Sequence, residues 1–247
     1  MKYIFSLVLL AGLGMLAKAQ TEGRIRYEEK VDVHRRIPEE RAEMKEMIPR
    51  FRSSFFNLFY TAEASKYKAQ EVTDDEEVTR TQGDTQFRMR MAQPRREVYK
   101  NLAEDKMVDE REFMTKMFLI KGSTSPYQWK ILDGQKKILD MLCLQASSQD
   151  SVNTYVVWFT PQIPVSNGPA EFGGLPGMIL QVDINQGERI LTATELAAET
   201  VDPALLEEPT KGKEVTQEEF HAIVREKMQE MREMHGGGGQ MMMIRHD

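Results

Sequence analysis

Soft sulfur and imidazole ligands crowd the C-terminal end of this chain. Met228, Met231 and Met234 recur at intervals of three and His235 follows directly. Met241, Met242, Met243 and His246 come after four glycines, Gly236 to Gly239. Thioethers are soft donors that suit Cu(I), and an imidazole completes such a set. The glycines form a hinge that would let two Met groups converge; the expectation is no cofactor, with copper as the alternative. Packing competes with it. Steps of three drift around a helix with 3.6 residues per turn, which spreads Met228, Met231 and Met234 over its surface. Met is also a good helix former and a tolerant packer. A third use of the tail is contact with a partner protein, its apolar face laid in a groove or on a sheet edge.

The rest of the chain offers little for catalysis. Its 4 His are His34, His221, His235 and His246, and none falls between Tyr127 and Asn185. A Ser-His-Asp or Cys-His nucleophile is therefore hard to assemble in that central block. No Gly-x-Ser-x-Gly, His-Glu-x-x-His, Walker or dinucleotide fingerprint occurs. Cys143, between Leu142 and Leu144, reads as a small buried hydrophobe. Asp74-Asp75-Glu76-Glu77 lacks the alternating oxygen ligands of a cation loop, and the acidic stretch from Glu71 to Asp84 reads as a solvated loop. The expectation is no catalytic residue and no enzyme, with an enzyme of unknown type as the weakest alternative.

The first nineteen residues read as an export signal. Lys2 supplies the positive start, Ile4 to Leu16 is an apolar run, and Ala17-Lys18-Ala19 places small residues where a signal peptidase reads. Cleavage is expected before Gln20, leaving a periplasmic or secreted protein with no transmembrane segment. Loss of Lys2 and Lys18 leaves 31 basic against 39 acidic residues, near −8. That balance repels nucleic acid backbones. A single Cys excludes an intramolecular disulfide.

Short alternating runs dominate the mature region. Gly23 to His34 reads as a half-buried strand, followed after Pro38 by a short helix over Glu39 to Ile48. Strands are predicted at Phe55 to Tyr60, Ser65 to Ala69, Gln86 to Met91, Glu97 to Asn101, Phe113 to Lys121 and Trp129 to Leu132. Turns fall at Gln93-Pro94, Gly122 to Pro126 and Asp133-Gly134. Lys137 to Ala146 is strand or helix, and Thr154 to Thr160 and Met178 to Ile184 pair as antiparallel strands. Pro203 to Lys213 is a linker. Thr216 to Glu219 is a capping box opening a helix to about His235, with Phe220, Ile223, Val224, Lys227 and Met228 on one stripe.

Between Tyr127 and Asn185 a more specific pattern appears. Trp129, Ile131, Cys143, Ala146 and Trp158-Phe159-Thr160 lead to Ile163-Pro164, Gly168-Pro169, Phe172 and Gly174-Leu175-Pro176-Gly177-Met178-Ile179-Leu180. This resembles the GLPGLI family, exported proteins found mostly in Bacteroidetes, with Met178 at the family's usual Leu. The export signal, the early Tyr-bearing strand and the segment Lys211 to Phe220 look like it as well. The resemblance implies an exported β-rich protein and no particular activity. The residues themselves give a rigid corner: Gly173 and Gly174 permit close backbone approach, and Pro176 holds Leu175 extended.

The fold expectation is a β-rich α+β protein: a curved antiparallel sheet, a short helix after the first strand, and a C-terminal helix. Residues 1-19 are the signal, 20-200 the β-rich domain, and 201-247 a linker, helix and Gly/Met-rich tail. The function expected is that of an exported, non-catalytic ligand-binding or accessory protein for an apolar ligand or an envelope partner. Phe55, Phe59, Trp129 and Trp158 are the aromatics expected to line its concavity.

Overall fold

A computed structural model describes residues 20–70, 78–82, 85–89 and 96–236. Among the described residues, fourteen strands and two α-helices follow one another. The first half contains β1 (Gly23–Asp32), α1 (Met44–Met47), β2 (Phe51–Tyr60), β3 (Ala64–Ala69), β4 (Val78–Gln82) and β5 (Thr85–Met89). Next come β6 (Arg96–Asn101), β7 (Lys106–Phe113), β8 (Lys116–Gly122), β9 (Lys130–Ile138) and β10 (Met141–Gln149). The chain finishes with β11 (Thr154–Thr160), β12 (Met178–Ile184), β13 (Arg189–Ala197), β14 (Lys213–Thr216) and α2 (Gln217–Gly236).

Twelve strands make one sheet in the order β14-β8-β7-β6-β3-β2-β1-β13-β12-β11-β10-β9, while β4 and β5 form a separate hairpin. Every pairing in the large sheet is antiparallel except β14 on β8, so the sheet is mixed. The first strand is central: β1 pairs with β2 on one side and with β13 on the other. Alternation decides which face is inside. On β2, Phe56, Leu58 and Tyr60 are buried while Phe55 and Phe59 point the other way.

The sheet wraps around its own β11–β12 connection. Five strand spacings separate β6 from β12, roughly 24 Å across a flat sheet. Yet the Lys100 amine on β6 lies 2.5 Å from the carbonyl oxygen of Phe172 in that connection. Residues 161–177 therefore fill the concavity as a plug, with Ile163, Val165, Ala170, Phe172 and Leu175 in the main core. At Gly177 φ is +146°, and a Cβ would stand 2.2 Å from the Thr160 carbonyl oxygen, so only glycine fits this corner.

Several expected details differ. Phe113 to Lys121 is not one strand, because a turn at Met114 and Thr115, both at positive φ, ends β7 and starts β8. The stretch from Glu71 to Asp84, expected as a loop, contains β4. Asp133-Gly134 is no turn; both lie inside β9. The glycine marks a register shift between β9 and β10 opposite Leu144 and Ala146, where strand glycines characteristically sit. The turn falls instead at Leu139 and Asp140, both at positive φ, the backbone a two-residue hairpin demands. That turn divides Lys137 to Ala146 between the end of β9 and the start of β10, so the segment is strand on both sides of it and not helix. Over Glu39 to Ile48, a 3-10 turn, Glu39–Arg41, precedes the four-residue α1.

The C-terminal segment is attached through β14 and α2. Thr216 Oγ1 accepts from the Glu219 amide at 3.2 Å, and Glu219 Oε2 accepts from the Thr216 amide at 2.8 Å, which is the expected capping box. Phe220 packs edge-on to Phe118 and Phe113, with Ile223 and Val224 beside them. No helix among the described residues is long and apolar enough to cross a membrane.

Candidate binding pocket

Four strands break their apolar alternation toward the same end of the sheet. On β6 the inner positions read Arg96, Val98, Lys100, and on β7 they read Met107, Asp109, Arg111. On β1 they read Ile25, Tyr27, Glu29, and on β13 Arg189, Leu191, Ala193. Each of these strands thus places a charge on the face that its neighbours keep apolar. Glu171 descends from the plug into the same row.

The charges are tied in pairs. Arg96 Nε and Nη2 reach the Asp109 carboxylate at 2.7–3.2 Å, and Nη2 also donates to Glu171 at 2.6 Å. Arg111 Nη2 donates to the same Asp109, which is only 2 % exposed. Arg189 grips Glu29 with Nε and Nη2 at 2.9 and 2.8 Å. Burial alone would raise the Glu171 carboxyl, but Arg96 and Arg189 override it and hold it well below the usual carboxylate range. Burial likewise works against the charge on Arg96, which Asp109 and Glu171 more than restore. Fork-shaped guanidinium–carboxylate pairs of this kind fix each arginine in orientation as well as position.

Beside the row, the Lys100 ammonium fastens the plug. It is 1 % exposed and donates to Asn167 Oδ1 at 3.0 Å, Gly168 O at 3.1 Å and Phe172 O at 2.5 Å. Burial pulls its pKa down to about 7, with Glu171 pushing in the other direction. Three acceptors match the three hydrogens of an ammonium. Trp129 Nε1 adds a bond to Gly173 O at 2.7 Å.

Above the row lies a cavity of about 690 Å³. Arg96, Asp109, Arg111, Glu171 and Arg189 form its charged side, and Gln217 and His221 from the first turns of α2 stand at its rim. Its other wall is aromatic. Tyr127 stacks on Phe172 at 5.1 Å and meets Tyr155 edge-on at 5.0 Å. Burial, with Glu171 nearby, raises the Tyr127 phenol, and burial pushes Tyr155 up to about 12, so both hydroxyls stay protonated.

The expected aromatics do not converge here. Phe55 and Phe59 lie on the outer face beneath the cations of Arg26 and Lys68, and Trp158 lies beneath Lys136. Only Trp129 joins the aromatic side, 5.1 Å from Tyr127. Cys143 is fully buried, its sulfhydryl donating to Met141 O, with burial raising its pKa. Of the soft-ligand candidates, Met228 and Met231 lie on α2, 44 % and 38 % exposed. Met234 and His235 belong to the last turn of α2. Met241, Met242, Met243 and His246 lie outside the described residues. Among the described residues no three His, Cys, Asp or Glu side chains form a metal-binding group.

A wrapped β-sheet with a buried connecting plug and a polar pocket beside it defines the molecule. A family described as a protein of unknown function (Porph_ging) matches residues 147–181. Those residues run from the end of β10 through β11 and the plug into β12, the same ground on which the sequence pattern rests. No curated protein matches the chain. Among solved structures, PNGF-II in its P21 crystal form is similar in fold, with a TM-score of 0.55 and 13 % identity over 83 % of this chain. Its C2 crystal form gives the same values. The match takes in 33 % and 32 % of the two PNGF-II chains, so this chain spans about a third of PNGF-II.

Proposed function

We propose that this chain is an exported, non-catalytic ligand-binding or accessory protein of the cell envelope, and that the cavity beside the plug is its binding site. One observation carries the reading: a cavity of about 690 Å³ is floored by prearranged guanidinium–carboxylate pairs and walled by aromatics. That volume lies within the roughly 300–1,000 Å³ of small-molecule sites, and a few fixed polar groups beside an apolar wall are what such sites use for orientation. A binding role is favoured over catalysis by the state of the carboxylates. Asp109, Glu171 and Glu29 are each committed to an arginine. A carboxylate held far below neutral pH, as Glu171 is, makes a weak general base. The matched family, itself of unknown function, agrees with this reading without refining it.

The test is native mass spectrometry of the mature protein purified from its own envelope. The expected result is one retained increment of a few hundred daltons per chain. Hydrogen-exchange protection lost on ligand removal should map to Tyr127, Tyr155 and the plug. A bare mature mass, or protection mapping elsewhere, refutes the assignment of the cavity.

A further inference from the structure

Among the charged groups of the pocket, the unused hydrogen-bonding capacity lies with the arginines. Arg96 and Arg189 each employ Nε and Nη2, and Arg111 employs Nη2. Among the described residues, Nη1 of all three donates to nothing. Buried polar atoms without a partner include Arg111 Nε and the Tyr67 hydroxyl, but none of these Nη1 groups. They are therefore open to the cavity that their side chains line. The acceptors are already engaged: Asp109 takes two arginines, and Asp150 takes the Tyr155 hydroxyl together with the Val152 and Asn153 amides. Besides the Tyr127 and Ser151 hydroxyls, which can donate or accept, what remains open is a set of fixed cationic donors, and the complement of that set is a group that only accepts.

We infer that the pocket holds its ligand through a single carboxylate, received by the open edges of Arg96, Arg111 and Arg189, with an apolar body against Tyr127 and Tyr155. This deepens the proposed binding function and rests on it. Charge sets the count. The three arginines are balanced by Asp109, Glu171 and Glu29. Lys121 is taken by Glu214, and Asp150 adds a further negative charge to the wall. With Asp150 the four carboxylates exceed the three guanidinium charges by one, so a ligand is held by directed hydrogen bonds to the open donor edges, and each further charge on it is opposed by those carboxylates. Because the guanidinium planes are locked by their own ion pairs, little side-chain ordering remains to oppose binding.

Phenylacetate, its uncharged isostere phenylacetamide, and phenyl phosphate are titrated into the mature chain and followed by amide and side-chain NMR. The expected result is saturable shifts of pocket resonances with phenylacetate, and binding at least about tenfold weaker for the amide. In Arg111→Gln, the Asp109 carboxylate keeps its Arg96 partner, so the fold should persist while the preference for phenylacetate drops severalfold. Equal binding of phenylacetate and the amide overturns the carboxylate inference and leaves the binding function standing. Tighter binding of phenyl phosphate overturns the single-charge argument in the same way. No shift with any probe overturns the inference; if the envelope-purified protein also shows a bare mass, the binding function falls with it.

Discussion

Replacing Lys100 by Met tests how the buried Lys100 amine fastens the plug and what burying its charge costs. Its pKa is about 7 in the folded protein against 10.5 for an ordinary lysine. Between those values the unfolded chain binds the extra proton, so stability rises with pH across that window. Integrating the difference, Lys100 contributes a rise of about 3 kcal/mol between pH ~7 and pH ~9.5. Near pH 7 the burial of charge costs about 4 kcal/mol, which the Met variant avoids. Against this, the variant leaves Gly168 O and Phe172 O without a donor, at about 1–3 kcal/mol each. Asn167 Oδ1 still accepts from the Gly168 amide. The two effects nearly offset at neutral pH. Urea unfolding of both proteins over the pH series is the assay, with Trp129 emission reporting the plug. Burial also lowers Lys136, but it does so in both proteins and cancels in the difference. Burial raises Tyr27 and Tyr67, so above about pH 10 their ionisation in the unfolded chain reverses the trend and bounds the useful range. The expected outcome is a gap in favour of wild type that widens by about 3 kcal/mol across the window. Parallel curves for the two proteins would refute the burial-depressed pKa of Lys100.

Other substitutions separate further parts of the account. Glu171→Gln should cost about 3–5 kcal/mol at neutral pH by leaving part of the Arg96 charge uncompensated. Because the folded carboxyl is depressed, wild type should lose this advantage as pH falls below about 4; acid titration followed by circular dichroism reads both effects. Gly177→Ala drives a Cβ into the Thr160 carbonyl and should destabilise by more than about 2 kcal/mol. Gly134→Ala meets the movable Gln145 Oε1 but also Gln145 Cβ at 3.1 Å, so thermal melts should place it about 1 kcal/mol below wild type, less affected than Gly177→Ala. Thr216→Ala removes half of the capping box and should cost about 1 kcal/mol, with faster amide exchange confined to the first turn of α2.

Much of the sheet is readable from alternation. Phe55 to Tyr60, Thr154 to Thr160 and Met178 to Ile184 form strands because their apolar residues recur every second position and pack on one face. The capped helix is equally local, since Thr216 and Glu219 satisfy each other without help from the rest of the chain. Pairing is not local. Nothing in the spacing of β1 and β13 announces that they are neighbours, and β14 joins β8 only through a parallel register that no turn dictates. The pocket was hidden for a related reason. Its signal is a charged residue at a position whose parity belongs to the core: Glu29 after Ile25 and Tyr27, Arg189 before Leu191 and Ala193, and Asp109 between Met107 and Arg111. Each is unremarkable on its own strand and becomes informative only when register aligns the strands. The aromatics expected to line the concavity misled because Phe55 and Phe59 occupy the opposite parity from Phe56, Leu58 and Tyr60.

The position of β1 at the centre of the sheet has a temporal consequence. Although β1 precedes the other described strands, its second neighbour arrives only when β13 does, and Arg189 lies 160 residues after its partner Glu29. At roughly 5–20 residues per second, synthesis leaves that flank of β1 unpaired for roughly 8–32 s. During this interval an alternating Ile-x-Tyr edge is presented to any passing strand, the exposure that invites intermolecular pairing. The N-terminal half therefore cannot finish its sheet as an independent unit. Premature termination before β13 should yield aggregates rather than a stable half-protein.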